Sequence, residues 1–239
     1  MLLRIPAESI YTADYGWHSG RFHFSFGDYD DPGNTHFGVL RALNEFVLQP
    51  GSGFETHPHS EMEIVSYCVQ GELTHGDSMG QSGRLQSGDV QYLCAGSGIT
   101  HREMNDAQDC ALRFLQIWIE PETSSLTPKY DCKHFSRQSS PNKLQHVASG
   151  EDREGVINIA QDANIYSARL SNTENIVYTN WADRQSYLVC LEGKLTVNEI
   201  ELFQHDAMKV WGEEILNLSA PEESHFLLVE MASDSEIDG

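Results

Sequence analysis

The stretch ALRFLQIWI, residues 111–119, has the alternating pattern of a β-strand that is buried on much of both faces. Other segments are similarly rich in β-branched and aromatic residues, namely 37–48, 63–69, 187–191 and 225–231. Turn signals that contain Gly and Pro separate these segments, and no long segment carries a helical apolar stripe. The sequence therefore predicts an all-β fold of many short strands, either a sandwich or a barrel.

A weak internal repeat indicates that this β unit is present twice. The segment YCVQGELTHGD (67–77) resembles YLVCLEGKLTVNE (187–199), and each has a glycine between two strand-like stretches. An acidic turn follows each copy, Ser-Gly-Asp ending at Asp89 and Gln-His-Asp ending at Asp206. The repeat predicts a duplicated β-barrel.

The two copies are separated by residues 121–150, which are rich in Pro, Ser and charge and which we interpret as a connection. We expect an N-terminal domain at residues 1–135 and a C-terminal domain at residues 136–239. Nine of the eleven histidines lie in residues 1–150. A site built from imidazoles is therefore expected in the N-terminal domain.

The charge of the chain argues against two classes of partner. Its 239 residues include 15 Lys+Arg and 36 Asp+Glu, a formal net charge of −21. Direct nucleic-acid binding and membrane binding are not expected, because phosphates would be repelled and no run of Lys or Arg forms a basic patch. The sequence shows neither the apolar core of a signal peptide nor a membrane-spanning apolar stretch. With five cysteines and no C-x-x-C motif, we expect a cytoplasmic monomer with free thiols.

Two short motifs place residues that bind metals two positions apart. In THPHSE, His57 and His59 project from the same face of an extended strand, about 6.6 Å apart. In GITHRE, His101 and Glu103 share a face in the same way. Together the pairs offer three neutral imidazole nitrogens and one carboxylate oxygen, which leaves up to two positions open on an octahedral metal. Such a donor set suits non-haem Fe(II), with Mn, Ni, Cu and Zn as alternatives.

The spacing of these residues resembles the two-part cupin metal motif. The chain contains G-x(5)-H-x-H-x(3)-E from Gly51 and G-x-G-x(2)-H-x(3)-N from Gly96. The surrounding sequence resembles that of the pirin family of bicupins over residues 15–135. The similar segments are FSFGDYDDP, HPHSEMEI, HGDSMG, AGSGITHREMN and QIWIEPE. This resemblance implies two cupin barrels in one chain, each a double-stranded β-helix of jelly-roll type.

The resemblance also implies a ligand set. Carried over by position, the iron ligands of the family are His57, His59, His101 and Glu103. Glu63 is a rival for the carboxylate, because many other cupins take their glutamate from the first motif. Spacing favours Glu103, since Glu63 lies about 13 Å along a straight strand from His59 unless the chain turns there. If Glu63 is not a ligand, we expect it to orient an imidazole.

Several other residues receive structural interpretations. The C-terminal barrel is expected to hold no metal, because His205 and His225 lack an H-x-H partner. Met104 stands where relatives often have an aromatic residue, and it would change substrate preference if it lined the metal pocket. The remaining candidates are expected to serve in turns, strand faces and core packing, namely His18, His23, His36, His75, Phe22, Phe24, Phe26 and Phe37.

The family resemblance implies quercetin 2,3-dioxygenase activity. We expect a non-haem Fe(II)-dependent dioxygenase that uses O₂ and a flavonol, or another small aromatic or enediol substrate. Glu103, or alternatively Glu63, would accept the hydroxyl proton of the substrate. The alternative is a metal-dependent, redox-sensing adaptor that binds a transcription regulator or a metabolic enzyme without catalysis. A cupin isomerase or sugar-binding barrel is a weaker third interpretation, since the sequence motifs resemble those of pirins and not those of sugar-binding sites.

Overall fold

The computed structural model describes residues 1–135, 142–171 and 174–234. Its regular secondary structure is almost entirely β-strand, which confirms the all-β prediction. A helix with the length and apolar character needed to span a lipid bilayer is absent from these ranges.

The described residues fall into two compact units. The first unit, called the first barrel below, contains those of Tyr11–Ser136 and Ile159–Gln161. The second unit, called the second barrel, contains those of Met1–Ile10, Arg137–Asn158 and Asp162–Gly239.

The first barrel is built from two antiparallel sheets. The first strand of the chain, β1 (Leu2–Ile5), belongs to the second barrel, and a short 3-10 helix follows it at Ala7–Ser9. The strands of the first barrel are β2 (Tyr11–Asp14), β3 (His18–Phe22), β4 (Leu40–Leu48), β5 (Ser52–His59), β6 (Glu63–Gln70), β7 (Glu72–Asp77), β8 (Ser82–Gln86), β9 (Asp89–Cys94), β10 (Ile99–Asn105), β11 (Leu112–Ile119) and β12 (Lys129–His134). Side chains from both sheets meet in one apolar core, which includes Phe46 and Phe114 from one sheet and Leu73 and Leu85 from the other.

The second barrel is built in the same way and has its own apolar core. Its further strands are β13 (Gln145–Ser149), β14 (Ile157–Asn158), β15 (Ala163–Leu170), β16 (Asn175–Asn180), β17 (Arg184–Glu192), β18 (Lys194–Val197), β19 (Ile200–Phe203), β20 (Ala207–Trp211), β21 (Glu214–Ser219) and β22 (Ser224–Ala232). Its core includes Leu188, Met208, Leu218 and Leu228, all of them fully buried.

Strand order shows that the barrel is duplicated. The sheets of the first barrel run β12-β9-β6-β11-β4-β3-β2 and β5-β10-β7-β8. Those of the second run β1-β20-β17-β22-β15-β13-β14 and β16-β21-β18-β19. Each strand therefore has a counterpart at the same place in the other barrel, and the chain is a bicupin as expected.

The hairpin glycines align the two copies residue by residue. Gly71 joins β6 to β7 and Gly193 joins β17 to β18, with φ of 86° and 73° respectively. Both are in the left-handed region, where a glycine is favoured because it has no Cβ. Cys68 and Cys190, each three residues earlier, donate to the carbonyl oxygen of their glycine at 3.6 and 3.7 Å. The sequence repeat is thus a structural one.

The structure differs from the expected organisation in two segments. Residues 121–150, interpreted as a connection, contain β12 and β13, which pair with β9 and β15. β1 pairs with β20 and so belongs to the second barrel, although residues 1–135 were assigned to one domain. The expected boundary falls at residues 136–141, which lie outside the described residues, so its position stays a prediction.

Candidate metal centre

The candidate metal centre lies on two neighbouring strands of the first barrel. β5 and β10 pair in antiparallel fashion, with His101 opposite His57 and Ile99 opposite His59. The ligand atoms of the three histidines all lie within 4.8 Å of one another. Their ring centroids are 4.6–4.9 Å apart. The structure therefore brings together the three histidines that the motifs predicted.

The nitrogen atoms of the cluster are left open for a ligand. His57 Nδ1 lies 2.7 Å from the carbonyl oxygen of Glu55. Because a carbonyl only accepts, Nδ1 carries the proton, and the lone pair of His57 is on Nε2. Within the described part of the chain, His59 Nε2 and both nitrogens of His101 are buried without a hydrogen-bond partner. A metal ion, which binds one nitrogen of each ring, would provide a partner for such buried imidazole nitrogens.

The environment keeps two of these imidazoles neutral. Burial, together with the neighbouring His57, lowers the pKa of His59 to about 4. Burial together with the neighbouring histidines lowers the pKa of His101 to about 2. A neutral imidazole is the form that binds metals. The donor set, its protonation and its unsatisfied nitrogens therefore fit a divalent transition metal.

Glu103 faces the same interior as His101 but is held by other side chains. Along β10, buried residues alternate with more exposed ones, so His101 and Glu103 project from one face. In the described part of the chain, the ligand atoms of the three histidines lie within 4.8 Å of one another. The carboxylate of Glu103 does not belong to this cluster. Burial raises the pKa of Glu103 to about 7, against hydrogen bonds from Ser66, Gln116 and Gln91 that lower it.

Glu63 lies outside this cluster and has a different role from the one expected of it. The chain does turn after His59, where Glu61 has a φ of 51°. The Glu63 carboxylate accepts hydrogen bonds from the hydroxyl of Tyr92 and from the backbone N–H groups of Ala160 at 2.6 Å and Gln161 at 2.9 Å. None of these donors is an imidazole. The prediction that Glu63 orients a histidine was therefore wrong, because its oxygens anchor the 159–161 segment.

The sequence interpretation missed His75. It was expected to serve only in a hairpin, yet its buried ring lies 5.4 Å from the ring of His101. Its Nε2 is 3.2 Å from Asp77 Oδ2, and its ring stacks on that of Tyr130 at 4.5 Å. The only signal in the sequence is the HGDSMG segment, which contains this histidine and its aspartate. His75 thus packs beside the cluster without belonging to it.

An aromatic wall stands beside His59. The ring of Trp118 meets that of His59 edge to face at 4.9 Å, and Phe26 meets Trp118 in the same way at 5.0 Å. Phe26 is half-buried, whereas Phe22, Phe24 and Phe37 are buried as core packing requires. Met104 projects from the opposite face of β10 to His101 and Glu103, so it does not line this part of the interior.

The histidines of the second barrel are engaged differently. His205 occupies a turn with a φ of 71°, at the place where the first barrel has Gly88. His225 is buried, with its Nδ1 3.0 Å from the guanidinium of Arg169 and 3.4 Å from the carboxylate of Glu192. Within the described residues of this barrel no group of histidine, cysteine and acidic side chains matches the cluster of the first barrel.

Comparisons with known proteins agree with this architecture. The family model described as Pirin matches residues 6–119, and the one described as Quercetinase C-terminal cupin domain matches residues 146–231. A "Pirin-like protein" of Caulobacter vibrioides is 37% identical over 97% of this chain and 100% of its own length. A "Quercetin 2,3-dioxygenase" of Escherichia coli strain K12 is 34% identical over 92% of this chain and 94% of its own.

Solved structures match over nearly the whole length. The crystal structure of YhhW from Escherichia coli has a TM-score of 0.93 and 32% identity, covering 98% of this chain and 99% of that one. A second crystal structure, of bacterial pirin YhhW in complex with nickel(II), has a TM-score of 0.92 and 32% identity, covering 98% and 100%.

Proposed function

The chain belongs to the pirin family, and we propose that it is a metal-dependent dioxygenase that acts on flavonol-type substrates such as quercetin. The observation that carries this proposal is the cluster of His57, His59 and His101, in which His59 Nε2 and both nitrogens of His101 are buried and have no hydrogen-bond partner among the described residues. The relative named for quercetin 2,3-dioxygenase and the nickel(II) complex of a bacterial pirin support the choice of reaction and of a metal.

The proposed ligands are His57, His59, His101 and Glu103, and the proposed metal is Fe(II), with Mn, Ni, Cu and Zn as alternatives. When bound, such a metal supplies Lewis acidity toward an enol hydroxyl and redox chemistry toward O₂. The three histidines would hold it through their open nitrogens, which their positions on β5 and β10 already bring close together.

The residues of the chain handle the proton and the shape of the substrate. Glu103 would accept the proton that leaves the 3-hydroxyl group of the flavonol when its carboxylate is not bound to the metal, a task suited to a carboxylate whose pKa burial has raised to about 7. Trp118 and Phe26 offer aromatic surfaces beside His59, against which a flat flavonol ring packs. Small enediol substrates would lose this aromatic contact, so flavonols are the preferred class.

Oxygen uptake by protein loaded with Fe(II) tests the proposal. We expect loss of the flavonol absorbance together with consumption of O₂, both removed by a chelator and restored by Fe(II). His57→Ala should abolish the reaction. His36→Ala is the matched control, because His36 is exposed and its side chain contacts that of its neighbour Thr35, away from the cluster. If iron-loaded protein consumes no O₂ with any flavonol or enediol, the proposed dioxygenase activity is refuted. The metal-dependent adaptor would then be the hypothesis to test.

A further inference from the structure

A row of buried polar side chains crosses the larger sheet of the first barrel. Gln91 on β9, Ser66 on β6, Gln116 on β11 and Asn44 on β4 lie opposite one another in register. Each is at most 5% exposed. A polar group in a barrel interior is unfavourable unless it has a partner, so these four residues need a reason to be there.

Three members of the row converge on Glu103. Gln91 Nε2 and Ser66 Oγ donate to Glu103 Oε1 at 2.7 and 3.0 Å, and Gln116 Nε2 donates to Oε2 at 2.6 Å. Trp118 Nε1 donates to Gln116 Oε1 at 2.9 Å, which turns the amide NH₂ of Gln116 toward the carboxylate. One hydrogen-bonded chain thus runs from the aromatic wall to Glu103.

The two carboxylate oxygens are held unequally. Oε1 receives two hydrogen bonds and Oε2 receives one. A carboxylate oxygen has two lone-pair sites, so the sites of Oε1 are filled while one site of Oε2 stays open. The arrangement fixes the carboxylate and leaves a single acceptor position for another partner.

At the corresponding described positions, the second barrel has neither the carboxylate nor its donors. Leu218 lies opposite Val197, four residues after Gly193, as Glu103 lies opposite His75, four residues after Gly71. The same alignment makes Leu188, Met208 and Leu228 the counterparts of Ser66, Gln91 and Gln116. All four counterparts are apolar and fully buried. The barrel fold therefore does not require the polar donors, and they accompany the carboxylate.

We propose that Ser66, Gln91 and Gln116 are positioning residues that hold Glu103 for the metal centre. Gln116 is the most important of the three, because it is the donor to the oxygen that keeps an open lone pair. Trp118 acts through Gln116, so the residue that flanks His59 also sets the orientation of the carboxylate. This inference rests on the proposed metal centre, but not on the identity of the substrate.

Titration with Ni(II) tests the proposal independently of turnover. Gln116→Met keeps the length of the side chain but removes its hydrogen bonds, and we expect Ni(II) to bind about 10- to 100-fold more weakly, as when other residues that orient ligands are lost. The Co(II) absorption spectrum should also shift, since the carboxylate is no longer oriented. Asn44→Leu is the matched control, because Asn44 lies in the same row and its buried amide has no hydrogen-bond partner in the part of the chain that the structure describes. Its Ni(II) affinity should equal that of the wild type.

The outcomes separate the two proposals. If wild-type protein binds no Ni(II) or Co(II), the metal centre itself is refuted. If wild type binds and Gln116→Met binds equally with an unchanged Co(II) spectrum, the positioning role is refuted and the metal centre stands. An equal loss in Asn44→Leu would attribute the effect to packing and would also overturn the proposal. Trp118→Phe, which keeps a ring against His59 but loses Nε1–H, provides a second variant should Gln116→Met not fold.

Discussion

The two barrels have the same strand topology and differ in the side chains of their interiors. In both, an aspartate after the hairpin accepts a hydrogen bond from a backbone N–H three residues earlier, Asp89 from Gln86 at 2.8 Å and Asp206 from Phe203 at 2.9 Å. The first barrel has Ser66, Gln91, Glu103 and Gln116 in its interior, whereas the corresponding residues of the second barrel, Leu188, Met208, Leu218 and Leu228, are apolar. Turns and register thus maintain the fold, and side chains on one interior face make the site.

This comparison offers direct experiments, because exchanging a residue for its counterpart shows whether it belongs to the site or to the fold. His101 corresponds to Leu216, Glu63 to Gln185 and Glu192 to Gln70 under the alignment of the hairpin glycines. The predictions below run from the largest expected effect to the smallest.

His101→Leu, which introduces the residue of the second barrel, should greatly weaken metal binding by the first barrel. Loss of a direct ligand should weaken metal binding by more than about 100-fold, beyond the range for residues that only orient ligands. The metal-free protein should gain about 1 kcal/mol of unfolding free energy, because two buried nitrogens without partners are replaced by an apolar side chain. Elemental analysis and urea unfolding of the metal-free protein measure the two effects, and a full equivalent of bound metal would contradict the assignment.

Gly193→Ala should destabilise the protein more than Gly71→Ala. Both glycines have positive φ, but a Cβ at Gly193 would lie 2.2 Å from the carbonyl oxygen of Glu223, against 2.8 Å between Gly71 and that of Ala111. We expect a loss of about 3 kcal/mol for Gly193→Ala and about 1–2 kcal/mol for Gly71→Ala. Urea midpoints provide the measurement. Equal losses would mean that φ, rather than the close backbone contact, limits both positions.

Glu63→Gln should reduce the free energy of unfolding without changing the metal content. The amide offers one acceptor oxygen where the carboxylate offers two, so at least one backbone N–H of Ala160 or Gln161 loses its partner. A buried unsatisfied donor costs about 1–3 kcal/mol. Metal content by elemental analysis should stay at the wild-type level, whereas Glu103→Gln should lower the affinity. Loss of metal in Glu63→Gln would restore Glu63 as a candidate ligand.

Glu192→Gln should have the smallest effect, and one that depends on pH. Hydrogen bonding and charge from His225, with Arg169, lower the pKa of Glu192 from 4.5 to about 2 despite burial. The stabilisation is therefore present above pH 4.5 and is lost as the pH falls toward 2. Because the carboxylate is partly exposed, we expect a loss of only about 1 kcal/mol at neutral pH. Urea midpoints of variant and wild type should converge below pH 4.5, and a constant gap would exclude this origin.

The local parts of the site could be predicted from the sequence. His57 and His59 share a strand face because two residues of extended chain repeat the orientation, and the same holds for His101 and Glu103. Ser66, Gln91 and Gln116 could not be predicted, since their convergence on Glu103 depends on the register of separate strands. The partner of Glu63 also escaped prediction, because Ala160 is 97 residues away in sequence and contributes only its backbone.

Pairing of β1 with β20 has a consequence for biosynthesis. Leu2–Ile5 leaves the ribosome before the other strands described, yet its partner Ala207–Trp211 emerges some 200 residues later. During part of that interval the first barrel already has all of its strands, while β1 still lacks its partner. The second barrel can therefore close only after most of its strands have been made, and its folding joins segments that are far apart in sequence.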